Sequence, residues 1–176
     1  YQKSYSIWLM PENIAFKSLK SNIDKINKHF DGPEFDPHIT LVGSFLGKEE
    51  HLVERTKIIS NKITPFNISF NKIKYLDEFF RSLFITIISD NEFKSAREIA
   101  LSELRDFKRR KNNYIPHMSL VYGDYTNKEK RRMTRSIISI PKGFLVKSIF
   151  LALNDEMNLK WKVIKKFKLV SNNGQN

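Results

Sequence analysis

Two segments of the chain carry the same succession of side-chain types. Pro37-His38-Ile39-Thr40-Leu41-Val42 is followed at once by Gly43, and Pro116-His117-Met118-Ser119-Leu120-Val121 is followed, after Tyr122, by Gly123. The chain has four histidines, and two of them hold equivalent places in this repeat, 79 residues apart. In an extended segment side chains alternate between faces, so each histidine and the hydroxyl two positions later point the same way. If the two copies face each other, two imidazoles and two hydroxyls surround one gap. Such a set can open a phosphodiester, with one imidazole as base, one as acid, and Thr40 and Ser119 donating to the phosphate oxygens. A lone His-x-Thr is commonly structural, its hydroxyl satisfying nearby backbone. Packing, however, has no reason to repeat both polar residues together with their Pro and Leu neighbours. His38, Thr40, His117 and Ser119 are therefore the expected catalytic residues. A provisional order makes His117 the base and His38 the acid, and the sequence leaves that order open.

No metal or other cofactor is expected. His38 and His117 are only two ligands, and neither has an acidic or Cys partner at a spacing suited to zinc. His29 and His51 read as surface residues on two helices. Phe79, Phe80, Phe84 and Tyr122 are candidates to stack on a base, with Tyr122 and then Phe84 preferred as substrate contacts, although most of the 14 Phe must be core. Arg81 and Lys74 are candidates to reach a phosphate.

The elements that would position these residues follow from periodicity. A strand is expected over 5–10, then an amphipathic helix over 12–30 capped by Gly32 and stopped by Pro33. The first histidine strand spans 39–44, a second helix 47–62, and a half-buried strand 66–73. A turn precedes a strand over 81–89, and Asp90-Asn91 caps a third helix to about 108. A basic loop, 108–113, leads to the second histidine strand, 118–122. A fourth helix lies within 124–139, capped by Thr126 or Asn127. Strands 144–154 and 159–170 then pair around a turn, and 171–176 is a polar tail. Both halves thus run helix, histidine strand, helix, paired strands, which predicts a single α+β domain over 1–170, with two pseudo-symmetric lobes, outer helices and a central cleft.

Composition bounds the partners. A chain of 176 residues with 40% apolar content can bury a core. Its longest apolar run, Leu83 to Ile88, is too short to cross a bilayer, and no membrane partner is expected. The opening residues lack a signal-peptide core. Absence of Cys fits a reducing compartment, so cytoplasm, or else nucleus, is the expected location, and the chain is read as a monomer. Basic and acidic residues balance through Leu104, and the whole excess of +12 lies beyond it. That field favours phosphorylated ligands, with RNA among them.

His38-Ile39-Thr40-Leu41 and His117-Met118-Ser119-Leu120 resemble the paired motifs of the 2H phosphoesterase superfamily. Tyr5-Ser6-Ile7-Trp8-Leu9-Met10-Pro11 and Tyr122-Gly123 after the second motif resemble its plant and fungal cyclic phosphodiesterase branch. The resemblance implies a bilobal α+β fold and metal-independent hydrolysis of nucleoside 2′,3′-cyclic phosphate or ADP-ribose 1″,2″-cyclic phosphate, usually leaving a 2′-phosphate. It also implies Tyr122 as the aromatic ring at the cleft. RNA-directed alternatives are hydrolysis of 2′,3′-cyclic RNA ends and 2′-5′ cleavage. A non-catalytic basic RNA-binding module is the third reading.

Overall fold

The computed structural model describes residues 3–110 and 113–170. The chain order is β1 (Ser4–Leu9), α1 (Asn13–Phe30), β2 (Ile39–Leu46), α2 (Glu49–Ser60), β3 (Phe66–Lys74), β4 (Leu83–Ile87), α3 (Asn91–Glu103), β5 (Lys108–Arg109), β6 (His117–Val121), α4 (Asn127–Ser136), β7 (Gly143–Val146), β8 (Ser148–Asp155) and β9 (Lys160–Lys168). Among the described residues these strands form one antiparallel sheet in the order β7-β3-β4-β6-β2-β1-β8-β9, with β5 pairing β2. The two histidine strands, β2 and β6, are neighbours at its centre. Three further strands on either side complete an α+β half-barrel of two lobes.

The histidine strands meet through one paired position, Ile39 with Met118. Both side chains are fully buried. Because residues alternate along a strand, burying this pair turns residues 38, 40, 117 and 119 to the opposite face. On the buried side lies a core of Leu41, Leu120, Leu19, Ile23, Ile26 and others.

Several elements differ from expectation, each for a local reason. α1 ends with Asp31, not Gly32, in the left-handed conformation (φ 54°), which a short polar side chain tolerates. Lys108 and Arg109 leave the expected loop to pair with Leu46 and Phe45. Residues 144–154 are two strands rather than one. β7 pairs β3, and after Lys147 the chain crosses to pair β1 and β9 as β8. The strand expected from Arg81 begins at Leu83, because Phe79–Arg81 is a 3₁₀ turn. Thr126 caps α4 in a capping box with Glu129. The tail 171–176 lies outside the described residues. No helix among them is long and apolar enough to cross a membrane.

Lys130 departs from the cationic surface its neighbours suggest. It is 1% exposed, and its Nζ donates to the Leu76 carbonyl (2.8 Å) and to Asp77 Oδ1 (2.7 Å). This anchors the segment that delivers Phe80 and Arg81 to the next feature.

Candidate active site

A cleft of about 250 Å³ opens on the face to which the sheet turns its histidines. His38, Thr40, His117 and Ser119 line it together, with Tyr122, Phe80 and Arg81 beside them. Antiparallel continuation of the Ile39–Met118 pair sets His38 opposite Ser119 and Thr40 opposite His117.

Both imidazoles are held in the same way. His38 Nδ1 lies 2.7 Å from the Asp36 carbonyl, and His117 Nδ1 lies 2.6 Å from the Ile115 carbonyl. A carbonyl only accepts, so each Nδ1 carries a proton and each Nε2 is the titrating nitrogen. The residue between acceptor and imidazole is a proline in both copies, Pro37 and Pro116, whose fixed φ sets the carbonyl's direction. Since the acceptor is backbone, its side chain is free to be Asp in one copy and Ile in the other. The repeated glycines have separate reasons. A Cβ on Gly43 would meet Ser6 Oγ at 2.7 Å, whereas Gly123 adopts φ 143°, a conformation glycine tolerates.

Burial shapes the proton affinities. His38 is 8% exposed, with Trp8 stacked on its ring at 3.7 Å and Phe35 at its edge. Loss of solvation lowers its pKa to about 4. His117 is lowered chiefly by burial and further by the Arg81 guanidinium, with Glu78 opposing. Arg81 is itself paired to Glu78 (Nε–Oε2 2.7 Å) and donates to the Asn113 carbonyl (3.2 Å).

The two hydroxyls differ. Ser119 Oγ donates to the Phe80 carbonyl (3.0 Å) and meets the Tyr122 hydroxyl, while Thr40 Oγ1 has no hydrogen bond to another described residue. Tyr122 is buried, stacked on Phe35 at 4.1 Å, and burial raises its pKa. Phe84 is a correction. It pairs across from Ser119 but is 2% exposed and does not line the cleft; it packs against the His117 ring at 5.3 Å and 70°. Lys74 is absent from the lining as well, whereas Arg81 and Phe80 belong to it. His29 and His51 are exposed. Sequence reasoning missed Trp8, Trp161, Asn154 and Glu156. These come from β1, β8, β9 and the turn between the last two, outside the repeat; the register pair Asn154–Trp161 brings two of them together. Among the described residues no cluster of three or more His, Cys, Asp or Glu could hold an ion.

The fold defines a class. LigT of E. coli complexed with 3'-AMP superposes with a TM-score of 0.62 at 11% identity, over 97% of this chain and 99% of that one. A Thermus thermophilus structure, TT0787, gives 0.64 at 14% identity, over 94% and 97%. This is the α+β fold of the 2H phosphoesterases. A family model described as "Cyclic phosphodiesterase-like protein" matches residues 3–175, and the chain belongs to that family. It is 22% identical to the cyclic phosphodiesterase of Arabidopsis thaliana over 127 residues, 72% of this chain and 69% of the relative. It is 26% identical to the 2',3'-cyclic-nucleotide 3'-phosphodiesterase of Yarrowia lipolytica over 158 residues, 68% and 73% respectively. The protein is thus an enzyme, a cyclic phosphodiesterase.

Proposed function

We propose that the cleft hydrolyses a nucleoside 2′,3′-cyclic phosphate, with ADP-ribose 1″,2″-cyclic phosphate as a related substrate, by two-histidine acid–base catalysis without a metal. The observation that supports this most directly is the pair of imidazoles, each fixed through Nδ1 and each offering Nε2 to one cleft. His117 Nε2 takes a proton from water as the water oxygen bonds to phosphorus. The P–O3′ bond breaks, and His38 Nε2–H gives its proton to the departing ribose oxygen, leaving a 2′-phosphate.

The electrostatics favour this order. On His117 burial is the largest cause of the lowered proton affinity and the Arg81 guanidinium adds to it, which favours a neutral ring, as a base requires. On His38 burial is again the largest cause, but no guanidinium adds to it, so an arriving phosphate anion can counter the depression and let a proton reside there. Thr40 and Ser119 donate to the non-bridging oxygens, Ser119 by rotating away from the Phe80 carbonyl. Tyr122 contributes to the aromatic wall that packs against the nucleoside.

Turnover of a nucleoside 2′,3′-cyclic phosphate is expected to persist in EDTA, and loss on chelation would defeat the metal-free scheme. Thr40→Ala should lower kcat by roughly 10²-fold and Ser119→Ala by about 10-fold, because only Thr40's hydroxyl is uncommitted beforehand. Equal effects, read by steady-state kinetics, would contradict that asymmetry.

A further inference from the structure

One charged surface has no part in the cleft. α1 and α4 lie side by side and run antiparallel. At one end the Tyr125 hydroxyl, just before α4, donates to the Phe30 carbonyl at 3.0 Å. At the other, Ser18 Oγ and Asn22 Nδ2 donate to the Ser139 carbonyl, just after α4, at 3.3 and 2.9 Å. Each helix shows an outward stripe at helical spacing, Ile14, Lys17, Lys25 and Lys28 on α1, and Lys128, Arg131, Arg135 and Ile138 on and just past α4. All are exposed. Antiparallel packing brings the two isoleucines to the same end, where they are 85% and 77% exposed. None of the six cations forms an ion pair with a described residue. The carboxylates within these two helices are engaged elsewhere, Asp24 with Lys20 and Glu129 with Thr126.

We propose that this two-helix face docks on an anionic lipid surface. Six cations without an ion-pair partner, of which Lys25 also donates to the Ser136 carbonyl at 3.2 Å, match a layer of phosphate and carboxylate headgroups, and two isoleucines at one end can enter the boundary beneath them. A nucleic acid would use the cations but leave both isoleucines in water, so the apolar end favours lipid. Docking needs no unfolding, because Leu19, Ile23 and Ile26 stay in the core on the other side of α1. α1 packs on β6, whose Met118 and Leu120 are buried while His117 and Ser119 face the cleft. The active site therefore opens on the opposite side and stays reachable. The expectation of no membrane partner rested on the absence of a spanning segment, and a face lying in the interface plane requires none.

Co-sedimentation of the full chain with vesicles tests this, comparing phosphatidylcholine alone with phosphatidylcholine containing phosphatidylserine. Partition onto the anionic vesicles should be at least about tenfold higher and fall as salt is raised. Arg131→Glu with Arg135→Glu should abolish it, and Ile14→Ser with Ile138→Ser should weaken it several-fold. Cyclic-phosphate turnover in both variants should match that of the parent, showing that they fold. No preference for anionic vesicles overturns the proposal. So does partition indifferent to the isoleucine changes, together with tight binding of a single-stranded oligoribonucleotide that the arginine changes remove; the face would then be a nucleic-acid surface.

Discussion

Replacing either His38 or His117 by alanine should lower cyclic-phosphate turnover by about 10²–10⁴-fold, the usual contribution of a positioned acid or base. The double variant should fall little further than the worse single one, because the two imidazoles serve one proton-transfer cycle. The losses should separate when the leaving group changes. On a p-nitrophenyl ester of a nucleoside phosphate, whose departing phenolate needs no proton, His38→Ala should regain most of its activity and His117→Ala should not. Rescue of His117→Ala alone would reverse the two roles, and rescue of neither would count against a protonated departure. Both rings line the cleft rather than sit in the main core cluster, so circular dichroism and urea midpoints near neutral pH can show that the variants fold.

The second large effect is on stability. The unfolded-chain pKa of a histidine is about 6.5, and burial lowers that of His38 to about 4 in the folded state. Between these values the unfolded chain holds a proton that the folded one does not, so unfolding becomes easier as pH falls. The contribution is fully present above pH 6.5, is lost progressively down to about pH 4, and changes no further below. A shift of this size corresponds to roughly 3 kcal/mol. His117, also lowered, acts in the same direction. Urea denaturation at neutral and acid pH should show His38→Gln losing about 3 kcal/mol less than the parent over this window. Equal acid sensitivity in parent and variant would mean that the imidazole is not held neutral by its surroundings. The same depression bears on catalysis. The profile of kcat/KM should be bell-shaped, with its alkaline limb below the ordinary histidine range, and that of kcat should lie higher, because bound phosphate raises the acid's affinity for its proton.

The paired motif was legible because each of its parts has a local physical job. Proline aims a carbonyl at Nδ1, alternation turns His and hydroxyl to one face, and burial of Ile39 and Met118 fixes which face that is. Helices with a continuous apolar stripe were equally legible. Other features had no such signature. Trp8 reads as an ordinary strand residue, and only its register partner Thr40 in β2 reveals that it covers His38. Phe84 carries the right chemistry for stacking on a base, but a sequence does not show that it is walled in behind His117. The break at Lys147 is marked in the sequence only by the polar pair Lys147-Ser148 within an otherwise apolar segment. What changes there is the partner strand, a choice made by tertiary packing rather than by local preference. Lys130 lies in a run of cations whose other exposed members face solvent, and its burial depends on Asp77 and the Leu76 carbonyl, distant in the chain.

The junction at Ile39 and Met118 also bears on how the molecule comes into being. Hairpins such as β8–β9 and β3–β4 join segments close in sequence and close small loops. The junction joins strands whose histidines are 79 residues apart, so its loop-closure entropy is met later in assembly. Neither half of the chain holds a complete proton relay. During refolding, recovered turnover is therefore a clock for long-range closure, of this junction and of the still longer β1–β8 pairing beside it, and it should lag behind the return of helical and strand signal.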